Sequence, residues 1–207
     1  MNNPLFRKEY LKSMYPDREV ISMEEFLQDY HHQIKNYGQA KFKKLQFGWV
    51  LQPYVGKKSL PSLENIEFVD CNLERHVFGN GDYCYNQKPE EMDPSQMNKE
   101  FNKLSLINCT MFDTKFVGTK FKDLTLDNCE FYNNSVSADC DFHNVKIIGN
   151  AGLITRNAIQ PFFYNCNFEG GKITEPSVQP SSFVKKGRKK IKPYDKCTFK
   201  DIVFAEK

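Results

Sequence analysis

The stretch of sequence that decides the fold is residues 101–136, which read FNKLSLINCTMFDTKFVGTKFKDLTLDNCEFYNNSV. Every fifth residue in it is apolar, at Phe101, Leu106, Met111, Phe116, Phe121, Leu126, Phe131 and Val136. Small or aliphatic residues lie two positions ahead of six of these, at Leu104, Cys109, Thr114, Thr119, Leu124 and Cys129. An α-helix has a period of about 3.6 residues and a flat strand one of about 2, so neither explains this spacing. A fixed short repeat predicts a solenoid, whose units bury one side only by stacking on their neighbours.

The same spacing occurs on both sides of this stretch. It begins at Leu63, and after Val136 it resumes one residue out of phase at Phe142. Later repeats place apolar residues at Phe168, Ile173, Phe199 and Phe204. Three segments interrupt the repeat and are predicted to be loop insertions, at 79–100, 149–164 and 174–195. The chain is therefore predicted to have two parts, an N-terminal cap over 1–62 and an all-β solenoid over 63–207.

The N-terminal cap is predicted to be mainly helical. Residues 4–14 have helical spacing, and a capping box of Ser22 with Glu25 marks the start of a second helix that ends at Gly38. Residues 42–51 alternate between apolar and polar side chains, which predicts a strand. We expect these elements to cover one end of the solenoid, because such an end exposes apolar side chains and open backbone edges.

A central apolar residue with a small residue two positions ahead of it resembles the repeat of the pentapeptide-repeat family. The resemblance covers about 63–78, 101–147, 166–173 and 197–204. Asp or Asn directly precedes the central residue only at Asn72, Asp141 and Asn167, so the chain resembles a degenerate, loop-interrupted member. The resemblance implies a right-handed quadrilateral β-helix of about four to five coils, with central residues filling its interior.

The chain has seven cysteines, and six of them lie two positions ahead of an apolar residue, at Cys71, Cys109, Cys129, Cys140, Cys166 and Cys197. This is the inward small position of the repeat, so we expect buried free thiols that act as small apolar side chains. Cys84 is the exception, and whether it is reactive stays open. No Cys-x-x-Cys pair and no histidine at zinc-ligand spacing occurs, so we expect no metal site.

The charge of the chain is unevenly distributed along its length. The net charge is +4 over residues 1–62, −7 over 63–147 and +6 over 148–207. Such an asymmetry indicates a charged partner. The candidate acidic face consists of Asp113, Asp123, Asp127, Glu130, Asp139 and Asp141. The candidate basic loop contains Lys185, Lys186, Arg188, Lys189, Lys190 and Lys192.

The sequence favours binding over catalysis. It has no phosphate-binding glycine motif and no nucleophile elbow, so we expect no catalytic residue and no cofactor. Some members of the pentapeptide-repeat family resemble B-form DNA in shape and charge and bind DNA gyrase. The resemblance therefore implies a protein-interaction module, and more narrowly a modulator of a type II topoisomerase. Two alternatives stay open, namely nucleic-acid binding through the basic loop and a purely structural or assembly role.

The sequence also supports expectations about location and assembly. It has no run of 18 apolar residues and no apolar core of a signal peptide, so we expect a cytoplasmic protein without a membrane partner. No capping helix is predicted after Phe204, so we expect the last coil to offer an open edge. An open edge of this kind favours a homodimer formed end to end.

Overall fold

The computed structural model describes most of the chain in eleven segments, 4–48, 59–74, 77–79, 100–112, 114–132, 136–138, 140–148, 152–155, 163–174, 178–180 and 194–205. In these segments the chain is mostly parallel β-sheet with two short helices. The predicted β-rich fold is therefore confirmed at this level.

The two helices are α1 (Pro4–Met14) and α2 (Met23–Tyr37). The predicted capping box is present at the start of α2, where the Ser22 side chain accepts from the Glu25 amide and the Glu25 carboxylate accepts from the Ser22 amide. Gly38 ends the helix in the left-handed conformation (φ +71°), and its amide donates to the carbonyl of Ile34. The predicted helix boundaries are therefore confirmed, because local capping decides them.

The strands form three parallel sheets. The first sheet contains, in order, β1 (Glu19–Ile21), β3 (Leu45–Gly48), β6 (Asn72–Glu74), β9 (Thr110–Phe112), β13 (Glu130–Tyr132), β16 (Gly152–Thr155) and β19 (Val178–Pro180). The second contains β4 (Ser59–Leu60), β7 (Val77–Gly79), β10 (Lys115–Val117), β14 (Val136–Ala138), β17 (Phe163–Tyr164) and β20 (Tyr194–Asp195). The third contains β2 (Ala40–Lys43), β5 (Glu64–Val69), β8 (Glu100–Ile107), β11 (Lys120–Lys122) with β12 (Thr125–Asp127), β15 (Asp141–Ile148), β18 (Asn167–Thr174) and β21 (Thr198–Ala205).

Strands that follow one another in the chain fall in different sheets. After β8 in the third sheet, the chain forms β9 in the first sheet, β10 in the second, and then returns to the third at β11. Each return adds a strand parallel to the preceding strand of the same sheet. Residues about twenty positions apart therefore become neighbours, as the period of five predicts.

The central apolar residues align in columns that form the core. Phe121 pairs in register with Phe101 on one side and Phe142 on the other, and Leu126 pairs with Leu106. All five side chains are buried. The rings of one column stack at centroid distances of 5.3, 5.1, 4.9 and 5.0 Å, and the column runs through Phe101, Phe121, Phe142, Phe168 and Phe199.

The chain bends between strands at residues with positive φ that lie two positions after a central residue. Of the eleven non-glycine residues with positive φ in the described segments, eight are Asn or Asp, for example Asn108 (+52°), Asp123 (+53°) and Asn128 (+50°). Asn and Asp tolerate the left-handed conformation better than other non-glycine residues, because their short polar side chains form local hydrogen bonds. The bends therefore explain why Asn and Asp follow the central residues.

Two local predictions differ from the structure. Val136 was expected as the eighth central residue, but it pairs with Lys115, and Ser137 takes the place in line with Phe116. The shift of phase therefore lies before Val136 rather than after it. The strand predicted over 42–51 instead bends at Lys44 (φ +52°), which separates β2 from β3. Alternation of apolar residues does not reveal such a bend, because the residues on either side of it still point inward.

The sheets extend beyond the predicted limits of the repeat. Strands β1 to β4 lie within the predicted cap of residues 1–62, and strands β16, β17, β19 and β20 lie within the predicted insertions 149–164 and 174–195. The main path of the third sheet consequently has seven layers, more than the about four to five expected. Parallel strands pair through backbone hydrogen bonds, which do not require an apolar residue at every fifth position. Counting only the apolar repeats therefore gives too few layers. Residues 80–99 of the first predicted insertion lie outside the described segments.

We predict that Phe121→Ala lowers the free energy of unfolding by about 3–5 kcal/mol, because the cavity lies between two stacked rings. Phe199→Ala removes the same atoms from a ring that is 38% exposed and should cost clearly less. Urea denaturation of both variants measures the difference. Equal losses would contradict the assignment of Phe121 to the centre of the stack.

We predict that Gly171→Ala is strongly destabilising, by about 3 kcal/mol or more, because the neighbouring backbone of Val145 leaves no room for a side chain. Gly171 has φ +112°, and a Cβ atom there would lie 2.1 Å from the carbonyl oxygen of Val145. Gly38→Ala is the matched control, since Gly38 also has positive φ but nothing lies within 4 Å of its Cβ position. The control should cost about 1–2 kcal/mol. Urea denaturation that gives both variants the same loss would be inconsistent with the close approach of β18 to β15.

Candidate interaction surface

Two of the predicted acidic residues form hydrogen bonds between neighbouring strands. Asp123 lies at a bend of the third sheet, and its carboxylate accepts a hydrogen bond from the side-chain Nδ2 of Asn144. The carboxylate of Asp141, at the start of β15, accepts a 2.9 Å hydrogen bond from the side-chain Nδ2 of Asn167. These carboxylates therefore stabilise the stacking of layers, whatever else they contact.

The other two predicted acidic-face residues in the described segments, Asp127 and Glu130, lie on either side of another bend. Asp127 ends β12 in the third sheet, Asn128 forms the bend, and Glu130 begins β13 in the first sheet. The side chain of Asn128 donates a 2.9 Å hydrogen bond to that of Asn108, the equivalent residue one layer below. The four described acids are thus divided between two sheets and a bend, and the structure does not bring them together on one side.

Basic residues alternate with the acidic ones on the outside of the third sheet. Lys122 forms a 2.5 Å ion pair with Glu100, and Glu169 is paired with Lys200 and lies 3.4 Å from His143. The hydrogen bond from Lys122 lowers the pKa of Glu100, and the one from Lys200 lowers the pKa of Glu169. These side chains are exposed, and they neutralise one another between adjacent strands. The outside of this sheet therefore carries mixed charge rather than a single sign.

Several predicted functional residues lie outside the described segments. They are Asp113, Asp139, Cys84 and the six cationic residues of the basic loop, Lys185, Lys186, Arg188, Lys189, Lys190 and Lys192. The predicted roles of these residues in binding stay predictions.

The cysteines form two columns on the inside of the sheets. Cys71, Cys109 and Cys129 lie in successive layers, where the amide of the residue after each upper cysteine donates to the carbonyl of the cysteine below, at 2.9 Å. The second column is Cys140, Cys166 and Cys197. All are free thiols, and all but Cys197 are buried.

The cysteine side chains belong to the apolar core, and several of them have a raised pKa. Contact with the thiol of Cys129, together with burial, raises the pKa of Cys109 to about 12. Burial raises the pKa of Cys166, and contact with Cys166 raises that of Cys197. A thiol with a raised pKa stays protonated at neutral pH and is a poor nucleophile. The prediction of buried cysteines is confirmed for five of the six described cysteines, and the sixth, Cys197, is partly exposed.

One end of the third sheet is covered by helix α2. The ring of Phe26 packs 4.8 Å from that of Phe42 in the end strand β2. The side-chain oxygen of Gln33 accepts a 2.8 Å hydrogen bond from the amide of Lys41, a donor at the edge of the same strand. The hydroxyl of Tyr30 accepts from the amide of Glu64 and donates to its carbonyl. Helix α2 therefore satisfies both the apolar and the polar groups of this end.

The opposite end of the third sheet is the strand β21, and it is the strongest candidate interaction surface. No element of the described segments pairs with its outer edge. Its exposed apolar side chains are Phe199, Val203 and Phe204, which are 38%, 61% and 51% exposed. We call β21 with these three side chains the C-terminal edge. An unpaired strand with exposed apolar residues is a template for pairing with another chain.

Comparison with known proteins identifies no relative of this chain. No protein-family model matches the chain, and no curated protein or solved structure was found to match it. Neither helix of the described segments is long and apolar enough to cross a membrane. The same segments contain no group of three or more His, Cys, Asp or Glu placed to bind a metal ion.

The sequence also contains a signal for the bends between strands, which the period of apolar residues does not include. The repeated Asn and Asp two positions after the central residue, as in Asn108 and Asn128, indicate bends, and they place Asp123 at a bend. The exposure of Phe204 has no such local signal, because Phe204 occupies the same repeat position as the buried Ile173. Only the absence of a following layer in the described segments leaves it exposed.

The ion pair between the two helices predicts a pH effect. Lys8 donates to both carboxylate oxygens of Glu25 at 2.6 and 2.8 Å, and this pair with the Ser22 amide lowers the pKa of Glu25 to about 2. A carboxyl with a depressed folded pKa stabilises the fold above its unfolded pKa, and that contribution is lost as the pH falls through the folded value. We predict that Lys8→Met raises the pKa of Glu25, measured by NMR titration between about pH 5 and 2.

The matched control for this titration is Lys12→Met, which removes an exposed lysine of the same helix. It should leave the titration of Glu25 unchanged. A titration of Glu25 that is the same in the wild type and in Lys8→Met would show that α1 does not hold this carboxylate.

Proposed function

We propose that the chain is a right-handed, four-sided β-helix of the pentapeptide-repeat kind. Four central residues per layer support this proposal. Strand β8 carries two of them, Phe101 and Leu106, on either side of the bend at Lys103. The next two, Met111 and Phe116, lie in the first and second sheets. The parallel register between layers also supports it, as do the bends two positions after central residues such as Phe121 and Leu126. In this arrangement each side is one unit of five residues.

We further propose that the protein is a non-catalytic protein-interaction module. The exposed apolar residues of the C-terminal edge are the observation that carries this proposal, because they lie on a strand whose outer backbone groups are unpaired within the described segments. The arrangement elsewhere supports the same conclusion. The pKa of the buried Cys109 thiol is raised, and outer charges of the third sheet pair with one another. A solenoid of this kind supplies a rigid surface rather than a cleft for chemistry.

The narrower proposal is that the partner is a DNA-handling enzyme of the type II topoisomerase class. The net charge of −7 over residues 63–147 supports it, because an enzyme surface that binds DNA is positively charged. Glu130 is exposed and Asp127 is half-buried, and they lie on adjacent sides of the same layer. The mixed charge on the third sheet argues that any such contact involves the bend at Asn128 and the first sheet.

A supercoiling assay with purified DNA gyrase tests this narrower proposal. We expect the wild type to inhibit supercoiling, and the double variant Asp127→Lys with Glu130→Lys to require at least about tenfold more protein for the same effect, since two charges change sign. The control Glu24→Lys with Glu25 kept reverses one charge at an exposed position on α2, and the single variant Glu130→Lys is its direct comparison. If the wild type leaves supercoiling unchanged with and without a gyrase poison, the topoisomerase proposal fails.

A gel-shift assay, together with the supercoiling assay, distinguishes the two alternative functions. A nucleic-acid-binding role for the basic loop predicts a gel shift of duplex DNA that weakens steeply with salt and is lost when 185–192 is neutralised. A purely structural role predicts neither a gel shift nor an effect on gyrase.

A further inference from the structure

The third sheet has two outer sides, because its long strands bend near their middle. Strand β15 bends at Asn144 (φ +53°) and β18 bends at Gly170 (φ +73°). The ion pairs of Lys122 and Lys200 lie on the side before the bend. On the side after the bend, one column of outward residues runs in register through five layers, namely Ser105, Thr125, Lys146, Lys172 and Val203.

Two lysines of this column are an exception to the pairing of opposite charges. Lys146 and Lys172 lie directly opposite each other on β15 and β18, and both side chains are exposed. Neither lysine forms an ion pair with an acid of the described segments. Further down the same column, by contrast, Lys41 is paired with Glu67. The side after the bend therefore holds two adjacent positive charges without a bound counter-charge.

The nearby acids are diagonal to these lysines. Asp127 is two residues from the Thr125 that pairs with Lys146, and Asp201 is two residues from the Val203 that pairs with Lys172. A diagonal acid offsets part of the repulsion, but like charges directly opposite each other still oppose the stacking of two strands. An anion that binds between the two ammonium groups removes this repulsion, so the pair binds it more tightly than one lysine does.

Hydroxyl groups extend the same line of donors. Ser105 and Thr125 occupy the two layers before Lys146, and both lie between buried residues, so they face outward. Lysine and the hydroxyl residues are typical contacts of phosphate oxygens in nucleic acids. Four donors in consecutive layers span about 14 Å, which is three strand spacings of about 4.8 Å. Duplex DNA of that length carries about eight phosphate charges.

The composition of the column distinguishes duplex from single-stranded nucleic acid. Recognition of single strands uses aromatic side chains on which bases stack, and the column from Ser105 to Val203 contains none. The surrounding sequence favours an anionic partner as well, because residues 148–207, which include Lys172, have a net charge of +6.

We propose that Lys146 and Lys172, together with the hydroxyls of Ser105 and Thr125, bind the phosphate backbone of duplex nucleic acid. This function goes beyond the proposed protein-interaction role and does not involve the C-terminal edge. Contacts to phosphates carry no information about base sequence. The binding should therefore depend on salt and be independent of sequence.

Fluorescence anisotropy with a labelled duplex of about 20 base pairs, between about 50 and 200 mM salt, tests the proposal. The test variant combines Lys146→Gln with Lys172→Gln. At about 50 mM salt we expect the wild type to bind and the double variant to bind at least about tenfold more weakly. The slope of log K against log salt should become shallower by about 1.8, because each lost phosphate contact contributes about 0.9.

The matched control combines Lys120→Gln with Lys122→Gln, which removes two positive charges from the other side of the same sheet. Lys122 is paired with Glu100, and Lys120 lies in register with Asp141, so these charges already have acidic neighbours. We expect the control to change the salt slope by well under one unit.

The variant Lys172→Glu separates binding from folding. It places a carboxylate opposite Lys146, in the arrangement that Lys41 and Glu67 have lower in the column. We expect it to weaken duplex binding at least as much as the double variant, with a urea midpoint equal to or above that of the wild type. Loss of binding with a lowered urea midpoint would contradict the assigned repulsion between Lys146 and Lys172.

Three further results would overturn the proposal. The first is a wild type that does not bind the duplex at about 50 mM salt. The second is an equal salt slope in the wild type and the test variant, since the basic loop would then account for the binding by itself. The third is equal weakening by test and control variants, since net charge alone would then explain it. A labelled single strand of the same length that binds more tightly than the duplex contradicts the choice of duplex. The measurement contains no enzyme, so its result is independent of the topoisomerase proposal.

Discussion

Stacking of identical layers is the constraint on which the rest of this structure depends. A single layer cannot bury its central residues, so Phe121 is covered only because Phe101 and Phe142 lie directly below and above it. Parallel backbone hydrogen bonds set the spacing between layers, and the rings follow that spacing at about 5 Å. Everything inside the sheets, the cysteine columns included, is organised by this one-dimensional repeat.

The same stacking leaves little freedom on the outside of the third sheet. Side chains that face outward lie next to equivalent positions one layer away, so opposite charges such as Lys122 and Glu100 neutralise each other between adjacent strands. Lys200 and Glu169 form a second pair of this kind. Repulsion between like charges in register would otherwise oppose the stacking. The end of the stack is different, because its last strand has a neighbour on one side only. Three of the exposed large apolar side chains in the described segments, Phe199, Val203 and Phe204, consequently lie on β21.

Prediction from the sequence succeeded where the determinants are local. The capping box of Ser22 with Glu25 and the glycine stop at Gly38 act within a few residues, so the limits of α2 could be predicted. The limits of the sheets could not, because a strand such as β16 pairs through its backbone and needs no apolar repeat. The phase shift before Val136 was missed because Val136 is apolar and fits the count, although Ser137 occupies the register position.

The sequence by itself determined the parallel β-rich fold, the inward cysteines and the two helices, because the period of five and the capping residues act along the chain. Tertiary structure alone decided which equivalent residues differ in environment. Ile173 is buried and Phe204 is exposed at the same repeat position, because a following layer covers one and no described layer covers the other. Asp123 accepts from Asn144 for a similar reason, since only the stacking of layers brings these two bends together.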